Sequence, residues 1–278
     1  MQHTNKTQAF TAQKVSPQKA HTLIVTDLDG TLLDHHTYSW QAAKPAIAQA
    51  RIDNIPIIPC TSKTLHETQK LTADMNLTGP IIFENGSGIA LSPNKIIDLA
   101  PHYNDLLAAL EAIKCRHGFR FTGFSAMNVA DIAQHTQLSL EDASDAKKRR
   151  YSEPFLWQDK PSSLTSFEAL CRSANIDIVQ GGRFYHALSR GVSKQHAIEQ
   201  LKQELNMPNA HIIALGDSNN DIAMLSQADT AIVVNNPTRH FPVLSHNQNN
   251  VHYTSAYGPL GWNDAIISQL KTMENTHG

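Results

Sequence analysis

Cysteine is scarce in this chain. Its 278 residues hold three, Cys60, Cys115 and Cys171, odd in number and far apart. They match neither a disulfide framework nor a paired-cysteine metal site, and the expectation is a reduced, cytoplasmic setting. Charge of one sign is also lacking. A formal net charge of -2 argues against a broad nucleic-acid surface, so no nucleic-acid partner is expected. No apolar run approaches the ~20 residues that span a bilayer, and no membrane association is expected. The opening stretch MQHTNKTQAFTAQKVSPQKA has no acid and no apolar segment of a signal peptide, and residues 1–20 are expected to be a flexible tail. The histidines are scattered, without a convincing His-x-x-x-His pair, and read as ordinary surface or core residues.

What is present describes a globular protein. The hydrophobic share is 41% and the charged share 17%, and the length suits one large domain or two modest ones. HTLIVT (His21–Thr26), IPIIPC (Ile55–Cys60) and IIFE (Ile81–Glu84) are apolar runs too short for helices, and they predict buried strands. Helical patterns over Gln41–Arg51 and Lys63–Met75 separate them, which predicts right-handed βαβ crossovers and a parallel sheet.

That rhythm changes after Asn85. GSGIALSPNKIIDLA predicts a hairpin turning at Ser92-Pro93-Asn94. A helix over His102–Lys114 and a strand over Phe119–Thr122 follow, then polar helical segments around Val129–His135 and Leu140–Arg150. Pro154–Gln158 is a strand candidate, Ser162 a candidate helix cap, and IDIVQ with RFYHAL an antiparallel pair about Gly181-Gly182. From Ser193 the first rhythm resumes: a helix carrying Ala197, Ile198, Leu201 and Leu205, the strand HIIALGD, a helix from about Asn219 and the strand TAIVV. The expected fold class is therefore α/β: a Rossmann-like core with a parallel sheet, residues 21–87 and 191–278, into which an α+β cap, residues 88–190, is inserted.

Ligands of open parallel sheets bind at the carboxyl ends of the strands. Asp27-Leu28-Asp29-Gly30-Thr31, Thr61-Ser62-Lys63, Glu84-Asn85-Gly86 and Gly216-Asp217-Ser218-Asn219-Asn220-Asp221 all fall there. Crowded carboxylates repel one another unless a cation lies between them, and a hard divalent ion such as Mg²⁺ suits a small carboxylate site. Lys194 begins the helix that re-enters the sheet. A lysine and Mg²⁺ facing a carboxylate are the parts that receive a phosphoryl group. The set supports an acyl-phosphate mechanism, in which a carboxylate attacks phosphorus and water then hydrolyses the intermediate.

DLDGT at Asp27, Thr61 after an apolar strand, Lys194 and GDSNND at Gly216–Asp221 resemble the four ordered motifs of the haloacid dehalogenase (HAD) phosphatase superfamily, with the insert where its large caps sit. The resemblance implies Asp27 as nucleophile and Mg²⁺ ligand. It implies Asp29 as general acid and base, ligating Mg²⁺ through its backbone carbonyl, and Asp217 as the third ligand. Asn220 and Asp221 would support the metal or Lys194, and Thr61 and Lys194 would hold phosphoryl oxygens. A narrower likeness, in LLDHHTYSW, TSKT, FENGSGI, GGRFYH, VSK and GPLGW, is to the mannosyl-3-phosphoglycerate phosphatases, whose reaction gives mannosylglycerate. It implies substrate contacts from Ser62, Lys63, Glu84, Asn85, Gly86, Arg183 and His186. Arg150 departs from that family, whose cap often has Glu between the Arg and Tyr of Arg-Glu-Tyr-Ser-Glu-Pro. Arg149-Arg150 with Lys147-Lys148 is a basic run on a polar helix, read by default as a solvated face, with a lid touching an anionic substrate as the minority alternative. The expected partner is a phosphorylated small molecule, and the expected state a monomer or small homo-oligomer. The rival readings are a broader sugar-phosphate phosphatase, a sugar phosphotransferase or mutase, and a non-catalytic phosphate or metabolite sensor.

Overall fold

The structure, a computed structural model, describes residues 21–181, 184–238, 240–244 and 250–275. The expected tail at 1–20 and Gly182-Arg183 lie outside the described residues. Along the chain run β1 (Thr22–Thr26), α1 (Lys44–Ile52), β2 (Ile57–Pro59), α2 (Leu65–Asp74), β3 (Ile81–Phe83), β4 (Gly88–Ser92) and β5 (Lys95–Asp98). Next come α3 (Tyr103–His117), β6 (Phe121–Gly123), α4 (Val129–Thr136), α5 (Leu140–Ala146), β7 (Glu153–Trp157), α6 (Pro161–Ser173), β8 (Ile176–Gln180) and β9 (Tyr185–Ser189). The chain then returns through α7 (Lys194–Glu204), β10 (His211–Gly216), α8 (Ile222–Gln227), β11 (Thr230–Asn235), β12 (Val251–Tyr257) and α9 (Gly258–Asn275).

Five strands form a parallel sheet in the order β12-β11-β10-β1-β2. Because side chains alternate along a strand, β1 feeds two cores at once. Ile24 joins α1 and α9 residues such as Ile47, Trp262 and Leu270 on one face. Leu23 and Val25 join Ala197, Leu201 and Leu225 of α7 and α8 on the other. Each such side chain contributes about 1.5–3 kcal/mol on burial, so the strand that carries the site is held from both faces. Pro59 is tolerated because β2 is an edge strand.

Two sequence expectations change here, and one strand appears that the sequence reading did not name. IIFE does not extend the parallel sheet. Ile81–Phe83 pairs antiparallel with β4 in a separate β3-β4-β5 sheet and meets the parallel sheet through the bridge Cys60–Ile82. Ser162 does not cap α6: Lys160 is the N-cap and Pro161 opens the helix, its fixed φ already helical. VHYTSAY becomes the edge strand β12, although its burial does not alternate cleanly.

Between β5 and α7 the chain builds a four-stranded antiparallel sheet, β6-β7-β9-β8. Phe121, Phe155 and Phe167 pack under it with ring centroids 5.1–5.8 Å apart, and α3 and α6 cover that face through Leu106, Leu110 and Cys171. Helices α4 and α5 close a smaller core of Phe124, Met127, Ile132, Ala143 and Ala146. One aromatic side chain of this inserted unit packs outside the unit's own cores. Tyr151 is buried against Leu65, Ile81, Phe83 and Ala90 of the first part of the chain.

Candidate active site

The carboxyl end of β1 delivers Asp27, which is buried. Lys194 Nζ donates to Asp27 Oδ1 and to Asp221 Oδ1, each at 2.6 Å. Its position is fixed locally: Ser193 caps α7, its Oγ accepting from His196 N at 3.1 Å. Gly86 makes that approach possible, because a Cβ there would lie 2.3 Å from Ser193 O. Asp221 is held by its own turn, with Oδ2 accepting from Asp217 N and Ser218 N at 3.1 Å.

Asp217 is aimed by residues far away in sequence. Thr31 Oγ1 donates to its Oδ1 at 2.9 Å, and Asn236 Nδ2 donates to its Oδ2 at 2.6 Å. Gly30 has φ +81, and a Cβ on it would meet Asn236 Nδ2 at 2.7 Å and Asp217 Oδ2 at 2.9 Å. The glycine and threonine after the two aspartates are thus what admit and orient the third.

Oxygens of Asp27, Asp217 and Asp221 lie within 4.8 Å of one another, all in buried side chains. Burial lifts the Asp27 carboxyl well above its ordinary pKa; Lys194 opposes this, and Asp221 and Asp217 push it up again. Burial alone would depress Lys194, but Asp221 and Asp27 outweigh it and keep the ammonium charged. An all-oxygen donor set of crowded carboxylates fits a hard divalent cation. Since each carboxylate oxygen has two lone pairs, the hydrogen bonds to Asp217 do not close it to a metal.

Thr61, buried at the end of β2, accepts at Oγ1 from Lys63 N at 3.2 Å. Lys63 Nζ lies 3.0 Å from Asp29 Oδ1, 3.8 Å from Glu67 Oε1 and 5.3 Å from the centre of the Tyr38 ring. Burial works against its charge, but Asp29 and Glu67 outweigh that and hold its pKa above the ordinary lysine value. The Asp29 side chain is 39% exposed, so it reaches solvent where Asp27 does not.

Core and inserted unit face each other across a cleft of about 460 Å³. Asp27, Asp29, Ser62, Lys63 and Asn220 line it from one side, and Arg149 and His186 from the other. His186 is buried, its Nδ1 has no hydrogen-bond partner among the described residues, and burial first, then Arg149 and Lys194, press its pKa down to about 3. Arg183 lies outside the described residues.

The turn Glu84-Asn85-Gly86 is placed differently from a substrate-facing rim. Glu84 and Asn85 both have left-handed φ, 49 and 58, which bends the chain under the site. Asn220 Nδ2 donates to Asn85 Oδ1 at 3.4 Å. Glu84 is fully buried, and its carboxylate accepts from the backbone of Arg150, Tyr151 and Ser152 at 2.8, 3.1 and 2.9 Å. It grips the inserted unit and does not line the cleft. Sequence pattern favoured a solvated face for Arg149, whose side chain is 3% exposed. A run of four basic residues is the pattern of a solvated face, and no local signal separates one buried arginine from its neighbours.

The parallel sheet, the clustered carboxylates and the lysine bonded to them form a buried acid–lysine site at the carboxyl ends of the strands. The sequence profile of the haloacid dehalogenase-like hydrolases matches residues 24–242. A glucosyl-3-phosphoglycerate/mannosyl-3-phosphoglycerate phosphatase of Methanococcoides burtonii is 31% identical over 271 residues, 91% of this chain and 98% of that one. A phosphatase of the same name from Persephonella marina is 30% identical over 269 residues, again 91% and 98%. Among solved structures, a Thermoplasma acidophilum protein shares the fold with a TM-score of 0.66 at 19% identity, covering 91% of this chain and 98% of that one. A HAD subclass IIB sugar phosphatase does so with a TM-score of 0.60 at 17% identity, covering 77% and 87%. The chain belongs to the haloacid dehalogenase-like hydrolases. Within them it is a phosphatase.

Proposed function

We propose that this phosphatase is a Mg²⁺-dependent phosphomonoester hydrolase that works through an aspartyl phosphate, with mannosyl-3-phosphoglycerate as its substrate and mannosylglycerate as its product. The observation that carries the reaction is Asp27: a buried carboxylate at the end of the central strand, bonded to Lys194 at 2.6 Å, lining a cleft. The substrate is argued from the two relatives at 30–31% identity.

An Asp27 oxygen attacks phosphorus, and the bond from phosphorus to the leaving alcohol breaks as Asp29 gives that oxygen a proton. Asp29, now a carboxylate, takes a proton from water, whose oxygen attacks the same phosphorus and frees Asp27 and inorganic phosphate. Lys194 and the Thr61 hydroxyl hold the non-bridging oxygens. Asp27, Asp217 and the Asp29 carbonyl would hold Mg²⁺, with Asn220 and Asp221 supporting them, and the ion would supply positive charge against the phosphoryl oxygens. Residues 21–98 with 191–278 act as the catalytic core and 99–190 as the cap, later than the sequence boundary at 87/88 because β4 and β5 pair onto β3 and Ile89 packs with Val25 and Ala197. From the cap, His186 faces the glycosyl or glycerate portion and Arg183 is assigned to contact it as well, and Ser62 and Lys63 flank the phosphate.

A phosphate-release assay with Mg²⁺ over glucosyl- and mannosyl-3-phosphoglycerate and common hexose phosphates tests the reading. Preference for the glycosyl phosphoglycerates is expected, whereas comparable rates on all would make the enzyme a general sugar-phosphate phosphatase. Asp27→Asn is expected to abolish turnover with an unchanged circular dichroism spectrum; near-normal activity in that variant would overturn the mechanism.

A further inference from the structure

Arg149 is a charged residue of the cleft that the reaction above does not use. Two of its nitrogens point back into protein: Nη2 donates to Ser62 O at 3.0 Å and to Ser152 Oγ at 2.5 Å, and Nε donates to Ser152 O at 3.3 Å. Nη1 has no partner among the described residues, and the side chain lines the cleft beside His186. Charge on the cleft wall singles it out. Lys63 is matched there by Asp29 and Glu67, and Asp27 by Lys194. The acid nearest Arg149 is Glu84, 3.6 Å from Nε, which is fully buried and outside the cleft wall.

Glu84 also explains how the arginine is held. Its carboxylate takes the three successive amides of residues 150–152 and the Ser152 hydroxyl at 2.8 Å, and that hydroxyl in turn accepts from Arg149. The same turn is tied to the catalytic strand ends, with Glu84 N donating to Lys63 O at 2.9 Å and Asn85 N to Thr61 O at 2.8 Å. Tyr151, sunk among Leu65, Ile81 and Phe83, pins the segment from the side.

We propose that Arg149 is a specificity-determining residue that takes a negatively charged oxygen of the leaving group, and that Glu84 is its positioning residue, acting through Ser152. The inference rests on the phosphatase reading and deepens it: substrates whose leaving alcohol carries its own anion gain a charge-assisted bond that neutral leaving groups do not make. Glu84 thereby fixes the arginine to the turn that also seats Thr61 and Lys194, so the leaving group and the phosphoryl group are measured from one reference point.

The test is kcat and KM with Mg²⁺ on two substrates, mannosyl-3-phosphoglycerate and mannose 6-phosphate, for the wild type, Arg149→Ala, Arg149→Lys, Ser152→Ala and Glu84→Gln. The ratio of kcat/KM between the anionic and neutral leaving groups is expected to fall at least tenfold in Arg149→Ala, mostly through KM on the first substrate, with partial recovery in Arg149→Lys. Ser152→Ala is expected to lower the same ratio, and pairing it with Arg149→Ala should add little, as for residues acting in one chain. Should Glu84→Gln fail to fold, Ser152→Ala still reports on the link. An unchanged ratio in Arg149→Ala overturns the specificity role. Parallel losses on both substrates, or additive effects of Ser152→Ala and Arg149→Ala, overturn the positioning role. A wild type that hydrolyses neither substrate overturns the phosphatase reading itself, and this inference with it.

Discussion

At Asp217, Thr31 and Asn236 donate to the two oxygens of one carboxylate while Gly30 stays clear of them. A motif read as two acids followed by a turn is, at atomic scale, a socket for a third acid. Asp27, Asp217 and Lys194 were legible in sequence because acids and lysines at strand ends are conspicuous. Arg149 was not, because burial of one basic residue among four depends on Glu84, far back in the chain. Glu84 itself was legible only as a polar strand end, since its amide partners are backbone and carry no sequence signature. His186 gives a pH prediction at this scale. Its pKa falls from 6.5 when unfolded to about 3 in the fold, so below pH 6.5 the unfolded chain binds the extra proton. Its contribution is fully present above 6.5 and is lost as pH falls toward 3, by about 2 kcal/mol between pH 6.5 and 5. Thermal unfolding of His186→Gln should therefore lose less stability than the wild type over that interval; equal losses would show that His186 is not the residue responsible.

At the scale of elements, helix starts and strand ends place the chemistry. Helix α2 begins on a capping box in which Thr64 Oγ1 accepts from Glu67 N at 3.2 Å and Thr64 N donates to Glu67 at 2.9 Å. Helix α7 begins at Lys194, set by Ser193 and by the bare backbone of Gly86. Gly86 has φ +92, so Gly86→Ala adds both strain and a clash with the residue before Lys194. Displacing that ammonium is expected to lower kcat on the order of 10²-fold, measured by phosphate release, while far-ultraviolet circular dichroism stays native. A variant with full activity would separate the turn from the lysine. The β1, β2, β10 and β11 strands were legible as short apolar runs bounded by turns. β12 was not, because its exposed Tyr253 and Tyr257 break any clean alternation. β3 was legible as a strand, but not its partner, since an apolar run does not say which sheet it will join.

For the whole molecule, the acids that make the site also strain it. Asp27, Asp217 and Asp221 are brought within 4.8 Å of one another by folding, so a cation that binds the folded state alone must stabilise it. At a hundred times its Kd, Mg²⁺ should contribute about 2.7 kcal/mol and raise Tm on the order of 5–10 °C. Asp217→Asn should reduce that shift in a thermal melt; a melt insensitive to Mg²⁺ in the wild type would remove the metal from the site. The inserted unit has its own core around Phe155 and Phe167, whereas the central ladder waits on the far end of the chain. Thr22 pairs with His211, and Thr26 with Leu215. Closing so long a loop is entropically late, and topology of this kind slows folding. During synthesis β1 therefore emerges with one flank open until β10 follows, while the antiparallel sheet between them gathers its contacts locally. The order of events is set by where the insertion falls: the antiparallel unit can gather its contacts before the parallel ladder closes.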